Sequence, residues 1–188
     1  MSRKNQHPNL GPLIELTHRR WNIPALAALQ RTSGAKFITL VNELGVSRSA
    51  LSTALNELIE RGLVMKNTGY GHPLRPEYLL TEPGKAVAGH CLELAELLQR
   101  RGEEDLAYRK WTLPLVAVIG DGVLRFNAVR GSLGVDVTPR AITLGLKSLL
   151  AHDWIRRLVV DEYPPAAGYT LLPAGRDVWA RLIPLVPE

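Results

Sequence analysis

Five side chains along residues 48–56 can all form hydrogen bonds, and none of them is acidic. They lie opposite an apolar stripe, and they are Arg48, Ser49, Ser52, Thr53 and Asn56. Arginine and asparagine match the donors and acceptors of base edges, while serine and threonine bond to bases or to phosphate oxygens. A merely solvated helix face would normally carry glutamate as well as lysine. This pattern predicts contact with nucleic acid.

A second set of the same kind follows about 90 residues later. Its outward positions are Pro139, Arg140, Thr143, Leu144 and Lys147. No acid occurs here either, and the predicted nucleic-acid contacts are Arg140, Thr143 and Lys147. Leu144 stands where the first set has Thr53. A leucine can contact a thymine methyl group but offers one hydrogen bond fewer.

Helical signals surround both sets. The apolar residues that recur at helical spacing in the first are Leu51, Leu55, Leu58 and Ile59, and they fall on one helix face. Ser47 is a favourable N-cap, and Gly62 can adopt the left-handed conformation that ends a helix. In the second set Thr138 is the predicted cap, and Pro139 takes the first helical position, where a missing amide does no harm.

These parallels extend into an internal duplication. The matching segments are Trp21-Asn22-Ile23-Pro24 with Trp111-Thr112-Leu113-Pro114, Phe37 with Phe126, Leu44-Gly45-Val46 with Leu133-Gly134-Val135, Ser47 with Thr138, Tyr78 with Tyr169, and Gly84 with Gly175. An insertion, Asp136-Val137, shifts the later matches to an offset of 91. Each copy is predicted to contain three helices, a two-stranded hairpin and a closing helix. The fold class is mainly α with short β wings: two tandem winged helix-turn-helix domains.

In the first copy, helices are predicted over residues 24–31 and 36–44, and hairpin strands over 63–66 and 77–80. Its hairpin loop is cationic and glycine-rich, which suits phosphate contact by Lys66 and Arg75. The second copy has predicted strands over 154–160 and 168–172. Its loop turns at Asp161-Glu162, which DNA would repel, so a plain connecting hairpin is an equally good interpretation.

A family resemblance rests on these residues together. The series runs Trp21, Pro24, Leu29, Phe37, Leu44, Val46-Ser47, Leu51, Leu55, Leu58 and Gly62-Leu63-Val64, followed by Pro76-Glu77-Tyr78-Leu79-Leu80-Thr81 and Gly84. It resembles the HxlR-type branch of the MarR-like winged helix regulators, closely over residues 20–90 and more weakly over 110–180. The resemblance implies a DNA-binding transcription regulator, with repression as the expected mode. The implied contacts are Arg48, Ser49, Ser52, Thr53, Asn56, Lys66 and Arg75.

Members of that family are homodimers on near-palindromic operators, whereas this chain is a tandem fusion that could imitate a dimer. It also lacks the N-terminal cysteine that some members use to sense electrophiles. Double-stranded DNA is the expected partner, at a near-palindromic or asymmetric operator. The chain is expected to divide into a first winged helix-turn-helix domain, residues 1–82, and a second, residues 110–188. The helical segment 83–109 between them is expected to join the two copies or two chains.

Bulk composition bounds these interpretations. The chain has 188 residues and a net charge of +5, with 10 Lys/Arg against 6 Asp/Glu in residues 1–82 and 8 against 7 in residues 111–188. The first copy is therefore expected to be the stronger DNA reader. Cys91 is the single cysteine, so no disulfide framework is possible, and it is interpreted as packing. No apolar run approaches a membrane span, and a cytoplasmic location is expected.

Other classes of function have less support in the sequence. Gly69-Tyr70-Gly71 lacks the third glycine of a dinucleotide site, and the histidines lack metal-ligand spacing, so neither an enzyme nor a cofactor is predicted. Paired winged helices also occur in protein-binding scaffolds of chromosome-segregation complexes, but such partners tend to be acidic. A regulator with an effector between the copies is a third possibility, although the sequence marks no pocket for it.

Overall fold

The computed structural model describes residues 9–67, 77–120, 122–134, 137–160 and 166–186. Its chain divides into two compact units. The first unit is Leu16–Glu104, and the second combines Asp105–Glu188 with the segment before Leu16. The segment 83–109 that the sequence set apart is thus shared, with most of it in the first unit. No helix among the described residues is long and apolar enough to cross a membrane.

The first unit consists of helices and one small three-stranded sheet. Its elements are α2 (Asn22–Thr32), β1 (Ala35–Lys36), α3 (Phe37–Leu44), α4 (Arg48–Glu60), β2 (Val64–Asn67), β3 (Glu77–Leu80) and α5 (Glu82–Arg101), and α1 (Gly11–Leu16) precedes them. The long α5 packs along the buried α2. This arrangement buries the centre of the unit and leaves one side of α4 in solvent.

The second unit repeats this order. Its elements are α6 (Glu104–Ala107), α7 (Thr112–Ile119), β4 (Leu124–Arg125), α8 (Phe126–Leu133), α9 (Pro139–Ala151), β5 (Ile155–Val160), β6 (Ala166–Leu171), α10 (Pro173–Leu182) and a 3-10 turn, Ile183–Leu185. The closing helix α10 has 10 residues, whereas α5 has 20. The duplication is therefore complete up to the hairpin and unequal after it.

Strand register shows the duplication at the level of single residues. In the first sheet, of order β1-β3-β2, Tyr78 pairs with Ala35 on one side and Lys66 on the other. In the second, of order β4-β6-β5, Tyr169 pairs with Leu124 and Arg157. The predicted hairpins and the fold class are confirmed. The short third strand of each sheet was not predicted, because two residues carry no period-2 pattern.

The turn before α9 refines the internal alignment. Val46, just before the cap of α4, is 7% exposed, and Val137, just before the cap of α9, is 4% exposed. Because both valines bury the turn in the same place, Val137 is the counterpart of Val46, not Val135 as the sequence alignment had it. Val135 itself lies outside the described residues.

The packing of α2 against α4 recurs in the second unit as the packing of α7 against α9, with different residues at the contact. Ala25 and Ala54 are both buried in the first unit, and their counterparts by offset are Leu115 and Gly145. A Cβ on Gly145 would lie 2.4 Å from Leu115 Cδ1. An alanine at position 145 would therefore force the Leu115 side chain to shift, and the larger leucine is matched here by a residue without a Cβ.

Candidate nucleic-acid interface

Helix α4 presents the first predicted set of residues on its outer face. Ser47 caps the helix, because its hydroxyl oxygen accepts a hydrogen bond from the amide of Ala50 at 3.2 Å. Leu51, Leu55 and Leu58 are fully buried on the inner side, which at about 2 kcal/mol each fixes the rotation of the helix. The outer residues are all exposed, namely Arg48, Ser49, Ser52, Thr53 and Asn56.

Two features of this face could not be read from the residue types. Thr53 Oγ1 donates to the carbonyl of Ser49 at 3.0 Å, so its proton is engaged within the helix and only its acceptor capacity is left for a ligand. Glu60, the last residue of α4, is exposed one turn beyond Asn56. The outer face is thus free of acids over its first two turns and acidic at its C-terminal end. A recognition helix uses its N-terminal end in the groove, so Glu60 lies at the far end.

Helix α9 presents the second set in the same way. Thr138 caps it by accepting from the amide of Ala141 at 3.2 Å, and Ile142, Leu146 and Leu149 are buried beneath it. The exposed residues are Pro139, Arg140, Thr143, Leu144 and Lys147. Thr143 Oγ1 donates to the carbonyl of Pro139 at 2.8 Å. The centre of this face is therefore apolar, with a cation one turn away on either side.

Glu57 fastens α4 to the chain before α2. Its carboxylate accepts from Arg19 Nε and Arg61 Nη2, both at 3.1 Å, and lies 3.6 Å from His18 Nδ1. Burial alone would raise the pKa of Glu57, but the hydrogen bonds from Arg61 and Arg19 and the charges of Arg61 and His18 outweigh it, so its pKa lies below the ordinary 4.5. The carboxylate of Glu57 is thereby directed inward, and its negative charge is balanced by these cations.

The second unit makes the equivalent link without an acid. Arg109, the counterpart of Arg19, donates from Nη1 to Ser148 Oγ at 3.3 Å. Ser148 is the counterpart of Glu57 at an offset of 91. Helix α4 is thus linked by hydrogen bonds in which both groups are charged, whereas the equivalent link to α9 joins a charged guanidinium to a neutral hydroxyl.

We expect Glu57→Gln to destabilise the first unit by about 1–2 kcal/mol at pH 7, because charge-assisted hydrogen bonds are replaced by weaker ones. A lowered pKa in the folded state means that the stabilisation is present above the unfolded pKa and is lost as the pH falls through the folded value. The difference in unfolding free energy between variant and parent should shrink below pH 4.5, the ordinary value. Urea unfolding at several pH values measures it.

Glu60→Gln on the same helix is the matched control for Glu57→Gln. Glu60 is exposed, and substitution of an exposed residue usually changes the free energy of unfolding by at most about 0.5 kcal/mol. Equal effects of the two substitutions, or a difference between Glu57→Gln and the parent that persists unchanged at pH 3, would contradict the role given to the Glu57 carboxylate.

The wings are described in part. Lys66 lies exposed on β2, opposite Tyr78. Arg75 and the rest of the first hairpin loop, residues 68–76, lie outside the described residues, as does Asp161-Glu162 in the second loop. Arg156 and Arg157 are exposed on β5. Both described wing strands thus carry cations on their solvent side.

Sequence reasoning missed two polar residues on α8, the helix that precedes α9. Asn127 and Arg130, with Gly131, Gly134 and Val137, line an open concavity of about 660 Å³. At an offset of 89, the counterparts of Asn127 and Arg130 are Ile38 and Val41. The first helix of such a motif crosses the DNA backbone. A comparison of the two copies position by position would have identified them.

Cys91 takes no part in either face. It is fully buried on α5, and burial raises the pKa of its thiol to about 12. The thiolate, which is the reactive form, is therefore scarce at neutral pH, and the environment fits its interpretation as a packing residue. Within the described ranges, no three His, Cys, Asp or Glu side chains are grouped so that they could hold a metal ion.

Comparison with known proteins follows the two-unit pattern. The HxlR-like helix-turn-helix family model matches twice, at residues 16–105 and at residues 106–186. An uncharacterized HTH-type transcriptional regulator from Synechocystis sp. is 28% identical over 99 residues, which cover 53% of this chain and 73% of that protein. A crystal structure described as a MarR-family transcriptional regulator from Porphyromonas gingivalis W83 is 23% identical, covers 43% of this chain and 78% of its own, and has a TM-score of 0.40.

The two matched segments leave few residues of the chain outside the family model, and their border falls at the border of the two compact units. The resemblance inferred from Trp21, Ser47, Gly62 and the hairpin is confirmed. The chain belongs to the HxlR-like helix-turn-helix family, whose module it contains twice.

Proposed function

We propose that this chain regulates transcription by binding duplex DNA in a sequence-specific way, with α4 and α9 as its two recognition helices. The observation that carries the proposal is the outer face of α4: capped, exposed, able to form hydrogen bonds and free of acids over its first two turns. Such a face matches the major groove, which admits an α-helix and presents a distinct pattern of donors and acceptors for each base pair. Repression is the expected mode.

Each predicted residue receives a role from its position. Arg48 and Ser49 in the first turn of α4, with Ser52 and Asn56 behind them, are the candidates for base edges, and Thr53 is a candidate acceptor. Lys66 and Arg75 of the first wing are candidates for phosphates. In the second unit the contacts are Arg140, Thr143 and Lys147, to which we add Arg130 for the backbone.

Two arrangements on DNA are open to this chain. In the first, a monomer binds both halves of an operator with its two units. In the second, two chains form a homodimer through residues 83–109. Against it, the apolar residues Leu94, Leu97 and Leu98 of α5 are buried within the single chain. The exposed positions of that helix include charged residues, among them Lys85, Glu93, Glu96 and Arg100. We therefore favour a monomer that binds a near-palindromic or asymmetric site with its two units.

The protein-binding scaffold of a chromosome-segregation complex is the alternative function. Family membership disfavours it, as do two recognition faces whose first two turns carry an exposed arginine and no acid. No catalytic role or cofactor is proposed. A regulator of this kind acts where the chromosome is, so a cytoplasmic location accompanies the proposal.

Selection of bound duplexes from a random pool, followed by affinity measurement on the enriched sequence, tests the proposal. We expect one sequence family to emerge, and Asn56→Ala to weaken binding to it by about 1–3 kcal/mol while leaving binding to random DNA nearly unchanged, because it removes a base contact and no phosphate contact. Gln99→Ala, at an exposed position of α5, is the control and should bind like the parent. Failure to enrich any sequence, or an Asn56→Ala variant that binds the enriched duplex like the parent, would contradict the proposal.

A further inference from the structure

Leu144 is an exposed leucine in the middle of a cationic face. Its side chain is 54% exposed, on the outer side of α9. A single exposed leucine is ordinary on a protein surface, so exposure alone implies nothing. What matters here is its place: Arg140 lies one turn before it and Lys147 about one turn after it, and both are exposed.

The neighbouring hydroxyl does not make this centre polar. Thr143 Oγ1 donates its proton to the carbonyl of Pro139 at 2.8 Å. The middle of α9 therefore has no side-chain donor free for a base edge, and its most prominent surface is the Leu144 alkyl group. Among the groups on major-groove edges, only the 5-methyl group of thymine is apolar.

We propose that Leu144 is a specificity-determining residue that contacts the 5-methyl group of a thymine in the half-site bound by the second unit. This inference rests on the proposed function, since it requires α9 to lie in the major groove. In the first unit Thr53 occupies the equivalent position and keeps an acceptor oxygen beside its own methyl group. The two half-sites are then read by different chemistry, and the operator has a fixed direction relative to the chain.

The helix geometry places the thymine relative to another contact. Leu144 follows Arg140 by four residues, which is about 6 Å along a helix axis at about 1.5 Å per residue. Base pairs are about 3.4 Å apart. The thymine read by Leu144 is therefore expected about two base-pair steps from the base that Arg140 contacts.

Replacement of each thymine of the selected duplex in turn by deoxyuridine tests the inference, because it removes only the methyl group. For the parent protein we expect one thymine of the second half-site at which the replacement weakens binding about fourfold, the value that corresponds to burial of one methyl group. Leu144→Ala should bind the thymine and deoxyuridine duplexes alike at that position. Leu144→Met, which keeps an alkyl contact, should retain the difference.

Val123→Ala is the matched control, because Val123 is an apolar residue of the same unit, 49% exposed and not on α9. It should preserve both the affinity and the response to deoxyuridine. No methyl-sensitive thymine in the second half-site, or a sensitivity that survives Leu144→Ala, would overturn the inference even though the duplex is bound. A change in oligomeric state on Leu144→Ala would also overturn it, because the leucine would then be a protein contact. Absence of any enriched duplex is a separate result, which refutes the proposed function itself.

Discussion

We expect Arg48→Glu to reduce affinity for the selected operator at least 100-fold and Arg140→Glu to reduce it about tenfold. Each substitution changes the net charge by the same amount, so the long-range electrostatic loss is the same in both variants. The difference has to come from local contacts. Like charges placed together at an interface can cost several kcal/mol, and this penalty is largest where the substituted side chain lies deepest among the contacts that read bases.

The two arginines do not occupy equivalent positions. Arg48 is the first residue of α4, whereas Arg140 is the second residue of α9, after Pro139. Behind Arg48 the face of α4 continues with Ser49, Ser52 and Asn56, all exposed. A glutamate at position 48 therefore disturbs a half-site with several polar contacts, whereas one at position 140 disturbs a half-site that depends partly on an alkyl contact.

Arg100→Glu controls for charge alone. Arg100 is exposed in the last turn of α5, a different helix from α4 and α9, and its reversal changes the net charge as the other two do. We expect a severalfold loss that disappears at higher salt, since screening shortens the range of the field. Fluorescence anisotropy on one labelled operator at two salt concentrations measures all three variants. Equal losses from Arg48→Glu and Arg140→Glu would refute the inequality of the two half-sites.

Counted along the sequence, net charge favours stronger DNA binding by the first copy. Counted by compact unit, it does not. Residues 16–104 hold 11 Lys/Arg and 9 Asp/Glu, a net +2, while the remainder of the chain holds 12 and 9, a net +3. Half of the change arises because the segment before Leu16, with a net charge of +1, is grouped with the second unit. The other half arises because residues 83–104 add a net −1 to the first unit and residues 105–110 add a net +1 to the second. Sequence order could not reveal this, since the grouping of a terminal segment depends on tertiary packing.

Local signals predicted most of the fold. The caps Ser47 and Thr138 were identified because a hydroxyl before an apolar stripe satisfies a free helix amide, and both caps are formed. The helix predicted over 36–44 begins one residue later, at Phe37, because Lys36 pairs with Glu77 in the sheet. Such a short strand is specified by its partner, which lies about 40 residues away, and not by its own sequence.

The candidate interface was predicted in its composition but not in its detail. Residue types and helical spacing identified the exposed residues of α4 and α9. They did not show that Thr53 and Thr143 direct their protons to their own helices, because a hydroxyl rotor depends on the local backbone. They also left out Glu57, whose carboxylate is directed inward by Arg19 and Arg61, two residues far from each other in the chain.

We expect Gly84→Ala to destabilise the first unit by about 3 kcal/mol, a value at the upper end for overpacking. Gly84 lies in the first turn of α5, against the carbonyl group of Leu63 just before β2. A Cβ at this glycine would lie 1.9 Å from the Leu63 oxygen and 2.9 Å from its carbonyl carbon. Both are backbone atoms, and the same oxygen accepts a hydrogen bond from the Thr81 amide at 3.1 Å. The added methyl group therefore has to separate α5 from the hairpin that carries Lys66.

The duplication provides a second instance of this contact and its own controls. In the second unit a Cβ on Gly175 would lie 2.2 Å from the Trp154 oxygen, so Gly175→Ala should destabilise that unit to a similar degree. Gly89, also on α5, and Gly131, on α8, have nothing within 4 Å of an added Cβ, and alanine there should stabilise its helix by about 0.5–1 kcal/mol. Differential scanning calorimetry should show a melting temperature lowered by roughly 10–20 °C for the unit that carries Gly84→Ala or Gly175→Ala. The melting temperature should not fall in the two control variants. A Gly84→Ala variant that melts with the parent would mean that the closing helix does not need this close approach to the wing.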